Sequence, residues 1–156
     1  VILYDIEIIM RLNTKTRYAV RAMLTLALRE QESEPVSASD IAESEEISVK
    51  YLEGLLGSLR AAGLVRSVRG ASGGYRLARS AADITLRQIY HVFEGSEGFV
   101  ICTNEPGVCG RSGRCAAQTV WDELYQLSMR YLESVSLADL VVRNHRCQTD
   151  APTYDI

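Results

Sequence analysis

Three cysteines stand close together in the second half of the chain, Cys102, Cys109 and Cys115, spaced C-x6-C-x5-C, and a fourth, Cys147, follows later. Thiolates are soft ligands and the usual ones of iron–sulphur clusters. Pro106, Gly107, Gly110 and Gly113 give the intervening chain the freedom to fold around an inorganic core. Arg111 and Arg114 add positive potential, and Cys115 is expected at a helix start, where the dipole favours negative charge. The same features suit a reactive redox thiol. Zinc is the other metal to weigh, but structural zinc sites use CxxC knuckles, absent from this sequence. Three inert free cysteines are the plain structural reading.

A second set of residues points to a polyanion. The net charge of −3 is unevenly spread: residues 10–79 carry 11 Lys/Arg against 8 Asp/Glu, whereas residues 80–156 carry 6 against 10. Only the first part is expected to meet an anion. Within it, Arg66, Arg69 and Arg76 surround the run Gly-Ala-Ser-Gly-Gly at 70–74, which reads as a hairpin turn. A tip of this kind can place Arg69 into a DNA minor groove. Just upstream, Lys50, Glu53, Gly54 and Gly57 share one side of an expected helix. Lys50 can reach a phosphate or a guanine edge, and Glu53 can accept from a cytosine amino group. Two mid-helix glycines cost about 1 kcal/mol each relative to alanine, which suits close approach to another backbone. Ser48, Tyr51 and Arg60 on that helix, and Arg11, Lys15 and Arg17 near the first one, complete the candidate DNA contacts. A solvated, merely solubilising surface is the alternative for all of them.

The elements that must position these groups follow from periodicity and capping. A first helix is expected over Thr14–Glu30, capped by Asn13 or Thr14, with Val20, Met23, Leu24, Ala27 and Leu28 as its core face. Ser37-x-x-Asp40 opens a short second helix to about Glu45. Ser48 caps a third, ending at Gly63, whose stripe Leu52, Leu55, Leu56, Leu59 has i, i+3, i+4, i+7 spacing. Two strands, Leu64–Arg69 and Tyr75–Ala78, flank the glycine turn. Thr85-x-x-Gln88 starts a helix with Leu86, Ile89, Tyr90 and Phe93 inward and Gly95 as stop. Residues 96–114 form a loop. A long helix spans Cys115–Glu133, and Ser136 caps a last short one, Leu137–Arg143. In the long helix, Ala117, Val120, Leu124, Leu127 and Tyr131 make a coiled-coil-like seam, and Trp121, Tyr125 and Leu132 a second stripe. One stripe covers the parent domain while the other meets a second copy.

Helix, turn, helix and β-hairpin in this order make a winged helix-turn-helix. The fold class is mainly α with a small β-hairpin wing, followed by a long dimerisation helix. The organisation expected is an extension at 1–9, a DNA-binding domain at 10–79, a cysteine-loop and dimerisation region at 80–143, and a flexible tail at 144–156. The 156 residues, 47% of them hydrophobic, suffice for a core without disulfides. VILYDIEII is short, acidic and lacks a basic leader, and no apolar run reaches membrane-spanning length, so a cytoplasmic location is expected.

MRLNTKTRYAVRAML at Met10–Leu24, ISVKYLEGLLGSLRAAGLVRSVRGASGGYRLA at Ile47–Ala78 and the spaced cysteines closely resemble the Rrf2 family of transcription regulators. The resemblance runs from Met10 to about Val142. It implies a homodimer on palindromic double-stranded DNA, Glu53 as a recognition-helix residue setting base preference, and Arg69 as the wing residue entering the minor groove. It also implies a [2Fe–2S] cluster on Cys102, Cys109 and Cys115. Here the chain departs from the pattern. The iron–sulphur branch of the family has His three residues after the last loop cysteine, where this chain has Gln118. The nitric-oxide-sensing branch has an acidic residue in the first helix, where this chain has Arg17. Gln118, His145, Cys147, His91 or a residue of a partner subunit remain as the fourth ligand.

The expected function is therefore a non-enzymatic, DNA-binding regulator that senses iron–sulphur or redox state. The alternatives are a cluster-free regulator of the same fold that responds to thiol oxidation or a small metabolite, and a small redox protein. The last leaves the wing unexplained.

Overall fold

The computed structural model describes residues 12–70, 72–105 and 107–149. Among the described residues, seven α-helices, one 3₁₀ turn and a two-stranded hairpin follow one another: α1 Thr14–Leu28, α2 Ala38–Ser44, α3 Val49–Ala61, β1 Val65–Val68, β2 Gly74–Leu77, the 3₁₀ turn Ala81–Asp83, α4 Leu86–Glu94, α5 Ile101–Asn104, α6 Ala116–Glu133 and α7 Leu137–Thr149. The protein is a winged helix-turn-helix with a long helix appended.

Local chemistry explains most boundaries. The Asn13 side chain accepts from the Lys15 N–H at 2.9 Å and opens α1. Ser37 and Ser48 cap α2 and α3 through the Asp40 and Tyr51 N–H groups, at 3.1 and 3.2 Å. Thr85 and Gln88 form a full capping box at α4, and Ser136 and Asp139 bond reciprocally at α7. The strands pair antiparallel with Val65 opposite Leu77 and Val68 opposite Gly74. Val36 adds a short third edge, exchanging backbone bonds with Tyr75 at 3.1 and 2.8 Å. That bridge explains Gly74, where a Cβ would collide with the Val36 carbonyl.

One continuous core holds these elements. Met23 from α1, Leu52, Leu56 and Leu59 from α3, Ile89 from α4 and Leu137 from α7 are all sealed from solvent. The core thus runs on past residue 79 into α4 and α7. A satellite cluster of Tyr90, Tyr125 and Met129, with Phe99 and Leu132 against it, attaches α6 and the cysteine loop to α4.

Four expectations need correction. The buried face of α1 is Thr16, Ala19, Ala22, Met23, Leu26 and Ala27, with Val20 and Leu24 only half-buried and Leu28 exposed. Neighbours on several sides of α1 favour its small residues over the largest apolar stripe. The last helix does not end at Arg143: α7 continues to Thr149, so the tail expected from 144 is helical that far. The 96–114 loop contains one turn of helix, α5. Trp121 is exposed, and Met129 joins Tyr125 and Leu132 on the inner face of α6 instead. Residues 1–11, including the candidate Arg11, and residues 150–156 lie outside the described residues.

Glu45, at the end of α2, is buried, pairs with Arg21 Nε at 2.5 Å and accepts from the Thr25 hydroxyl at 3.1 Å. This brace between α1 and α2 has no periodic signal in the sequence.

Leu56→Ala is expected to cost about 2–5 kcal/mol, the range for emptying a fully buried leucine site. Urea unfolding followed by circular dichroism checks this; a loss under 1 kcal/mol would mean that α3 is not seated in the core as described.

Candidate nucleic-acid interface and cysteine loop

Burial of Leu52, Leu55, Leu56 and Leu59 turns the opposite face of α3 outward. Ser48, Lys50, Glu53 and Gly54 are exposed on it. Among the described residues, a Cβ at Gly54 or Gly57 would meet nothing within 4 Å, so no contact there requires glycine at either position. Both weaken the helix without any return from packing inside the chain.

The first turns of α1 and α3 meet in a shallow groove of about 620 Å³, with Asn13, Lys15, Ser48, Lys50, Tyr51 and Ser58 among its lining residues and Val92 and Phe93 of α4 closing one side. The groove brings together four of the candidate contacts, Lys15, Ser48, Lys50 and Tyr51. Ser48 also serves as the cap of α3. Tyr51 is half-buried, edge-on to Tyr18 with ring centroids 6.0 Å apart. The Arg21 guanidinium lies 5.4 Å from the Tyr18 ring. Glu53 is outside the lining of the groove, on the exposed face. Arg60 stands at the far end of α3, where its guanidinium reaches the Ser67 hydroxyl on β1 at 3.5 Å and braces helix to wing.

The wing arginines divide into two kinds. Arg66 and Arg76 are directly opposed across the strands, a like-charge pair that would repel. They are drawn apart: Arg66 donates to the Leu77 carbonyl at 3.4 Å, and Arg76 to the carbonyls of Glu32, at 2.9 Å, and Ser33. Arg76 thus fastens the wing to the α1–α2 connection. Arg69 follows β1 at the tip and is exposed. Gly73 keeps the tip tight, since a Cβ there would stand 2.7 Å from the Val68 carbonyl oxygen.

The cysteine loop is anchored at its start by the Tyr125 hydroxyl, which donates to the Ser96 carbonyl at 2.9 Å, and by the Phe99 ring, edge-on to Tyr125 at 5.3 Å. Burial, with Glu94 and Tyr125 adding, holds the Tyr90 hydroxyl above its ordinary pKa, so it stays protonated. Cys102 lies on α5, Cys109 in the loop, and Cys115 is the N-cap residue of α6. All three are free and half-buried; Cys115 makes no side-chain cap bond, so its sulphur is not consumed. Among the described residues, no three His, Cys, Asp or Glu side chains converge as metal ligands. The donor chemistry therefore suits a soft metal centre, whereas its geometry requires the loop to draw together.

The fourth-ligand candidates fare differently. Both ring nitrogens of His91 are engaged, Nε2 with Arg87 at 3.1 Å and Nδ1 with the Gly95 carbonyl at 2.7 Å, which removes it as a free ligand. His145 and Cys147 are exposed on α7, which packs mainly on α1 and the 3₁₀ turn. Gln118 contacts the loop directly, through the backbone of Cys102 and Gly113.

Sequence reasoning missed Glu94. Its Oε1 accepts from the Asn13 N–H at 2.7 Å and from the Thr16 hydroxyl at 2.5 Å. It ties the end of α4, where the cysteine loop begins, to the first turn of α1, beside Lys15. A last-turn Glu before Gly95 carries no signal for so distant a partner.

Fold and surface together define a winged-helix transcription regulator, with a cysteine loop set on a long appended helix. Residues 12–143 match the family model described as Rrf2, an iron-dependent transcriptional regulator, and the chain belongs to this family. It is 42% identical over 135 residues to the HTH-type transcriptional regulator IscR of Aliivibrio salmonicida, a match covering 86% of this chain and 79% of that one. The solved structure of IscR from T. potens is similar with a TM-score of 0.72 and 37% identity, covering 93% of this chain and 95% of that one. CymR, the global cysteine regulator of B. subtilis, is similar with a TM-score of 0.74 and 33% identity, covering 86% and 98%. The protein is thus an IscR-like, DNA-binding transcription regulator and not an enzyme.

Glu94→Ala is expected to lower stability by about 1–3 kcal/mol, because it leaves the nearly buried Thr16 hydroxyl and the Asn13 N–H without their acceptor. Glu94→Gln, which keeps an oxygen in place, should recover part of the loss in a denaturant titration; equal losses for both variants would mean that the acceptor oxygen is not the cause.

Proposed function

We propose that the protein is a homodimeric regulator whose three loop cysteines sense iron–sulphur or redox state and whose α3 and wing bind a palindromic operator. The observation that carries the reading is the pairing of two surfaces on one small core. One is an α3 face weakened by glycines that nothing among the described residues requires. The other is a loop of three free thiols fastened to α4 and α6.

On DNA, α3 enters the major groove with Lys50 and Glu53 toward base edges, while Lys15 and the N–H groups opening α1 and α3 meet phosphates. Arg69 extends from the wing tip into the minor groove. Regulation of DNA puts the protein in the compartment that holds it, the cytoplasm. The second copy is supported by the seam on α6: Val120, Leu127 and Tyr131 are each more than half exposed, and Ala117 and Leu124 continue the row. A helix with a buried inner face and such an apolar outer one is suited to pair with itself about a two-fold axis.

The thiols of Cys102, Cys109 and Cys115 would hold a [2Fe–2S] cluster, which supplies a centre sensitive to oxidation and to cluster supply. A fourth donor from this chain or its partner completes the set. Drawing the loop together would pull on α5 and on the start of α6, and so on the packing of α6 against α4. CymR, described as a cysteine regulator, favours a second reading in which the thiols themselves respond without iron.

Three measurements test this. Arg69→Ala should lose roughly 1–3 kcal/mol of specific DNA affinity without loss of stability; equal operator binding by both proteins at physiological salt would remove the wing from the interface. Leu127→Glu should shift the protein toward monomer in sedimentation, because a charge in the seam is buried without a partner; a monomeric wild type at micromolar concentration would refute the dimer. Iron and acid-labile sulphide should approach one [2Fe–2S] unit per chain after anaerobic reconstitution and fall away in Cys102→Ser, Cys109→Ser and Cys115→Ser. Near-zero iron in the wild type, with operator binding that changes on thiol oxidation, would select the cluster-free reading.

A further inference from the structure

The side chain of Gln118 spans the two ends of the cysteine loop. Its Nε2 donates to the Cys102 carbonyl oxygen at 2.5 Å, and its Oε1 accepts from the Gly113 N–H at 3.2 Å. A primary amide carries a donor and an acceptor at fixed separation, so it can satisfy two backbone groups of opposite kind at once. The groups it joins belong to the turn that bears Cys102 and to the residue just ahead of Arg114 and Cys115. Gly113 has φ +78°, a conformation that turns the chain sharply into α6. Gln118 itself is held by the first turn of that helix, where its own N–H donates to the Cys115 carbonyl at 3.1 Å.

We propose that Gln118 is the clasp of the cysteine loop: a positioning residue that holds the Cys102 turn against the start of α6 beside Cys115, and not a cluster ligand. The proposal rests on the reading of the three cysteines as the sensing site. While the clasp is closed, both polar ends of the amide are committed to backbone. The segment between the two fastened ends carries Cys109, so Cys109 is the thiol left to move when the loop draws together.

The test uses the reduced, metal-free full-length chain, where a ligand role would leave no trace. Backbone hydrogen exchange across residues 96–120 is followed together with the iodoacetamide labelling rate of each cysteine, resolved by peptide mass spectrometry. Gln118→Ala removes both bonds; exchange at Gly113 and labelling of Cys102 should each rise on the order of tenfold, as expected for local opening after loss of one or two hydrogen bonds. Gln118→Glu keeps the acceptor for Gly113 but has no donor for the Cys102 carbonyl, so Cys102 labelling should rise while Gly113 stays protected. Cys147 on α7 should label at the wild-type rate in every variant. Wild-type exchange and labelling of the loop in Gln118→Ala would overturn the clasp. So would a metal-free loop unaffected by Gln118→Ala alongside a changed visible spectrum after anaerobic reconstitution, since that pair of results makes Gln118 a ligand. Faster exchange and labelling in Gln118→Ala with no iron bound by the wild type would uphold the clasp and discard only the cluster.

Discussion

Everything in this fold is arranged around the crowding of α1. That helix packs at once against α3, α4, α7 and β2. Ala19, Ala22 and Ala27 let neighbouring backbones come close, and Met23 and Leu26 fill what remains. Helices approach to 8–10 Å only when the residues between them are small enough for their ridges to interlock. With α1 so occupied, α3 has one way to bury its leucines, and the face with Lys50, Glu53 and the two glycines must turn outward.

The same crowding joins the two halves of the protein. The cysteine loop is fastened to α6 by Tyr125 and Phe99, α6 to α4 through Tyr90 and Met129, and α4 to the first turn of α1 by the Glu94 carboxylate. The joints are packed side chains, with Tyr90, Tyr125 and Met129 buried, and hydrogen bonds from the Tyr125 hydroxyl and to the Glu94 carboxylate, so a displacement at one end meets resistance at the next. The path ends beside Lys15 and the groove between α1 and α3. Through these joints a change in loop geometry would have a contiguous path to the surface that we propose meets DNA.

Local rules are broken where the surface is reserved for something else. Mid-helix glycines at 54 and 57 cost helix stability with no neighbour to explain them, and α6 leaves Val120, Leu127 and Tyr131 open to solvent. A chain folding for itself alone would fill the first and cover the second. By contrast, Gly73 and Gly74 are forced from within, by the tight tip and by the Val36 bridge.

Much of this was legible in the sequence. Helix α3 and the capping serines and threonine depend on periodicity and on partners at most four residues away, and both are written in order along the chain. So was the wing, because its glycines mark the turn between two short β-prone runs. The three cysteines declare a soft donor set by type alone. What the sequence could not state are the contacts made between distant segments. The buried face of α1 was set by how many neighbours surround it, which favoured Ala19 and Ala22 over Leu24 and Leu28. Arg76 reads in the sequence only as one of three arginines around the turn, and the fold placed the Glu32 and Ser33 carbonyls beside it. Glu94 looks like an ordinary polar helix residue, and Gln118 like a candidate ligand, until the chain closes and sets backbone groups within their reach. A polar side chain takes its role from whichever unsatisfied partner lies within about 3 Å, and only the tertiary structure decides which partner that is.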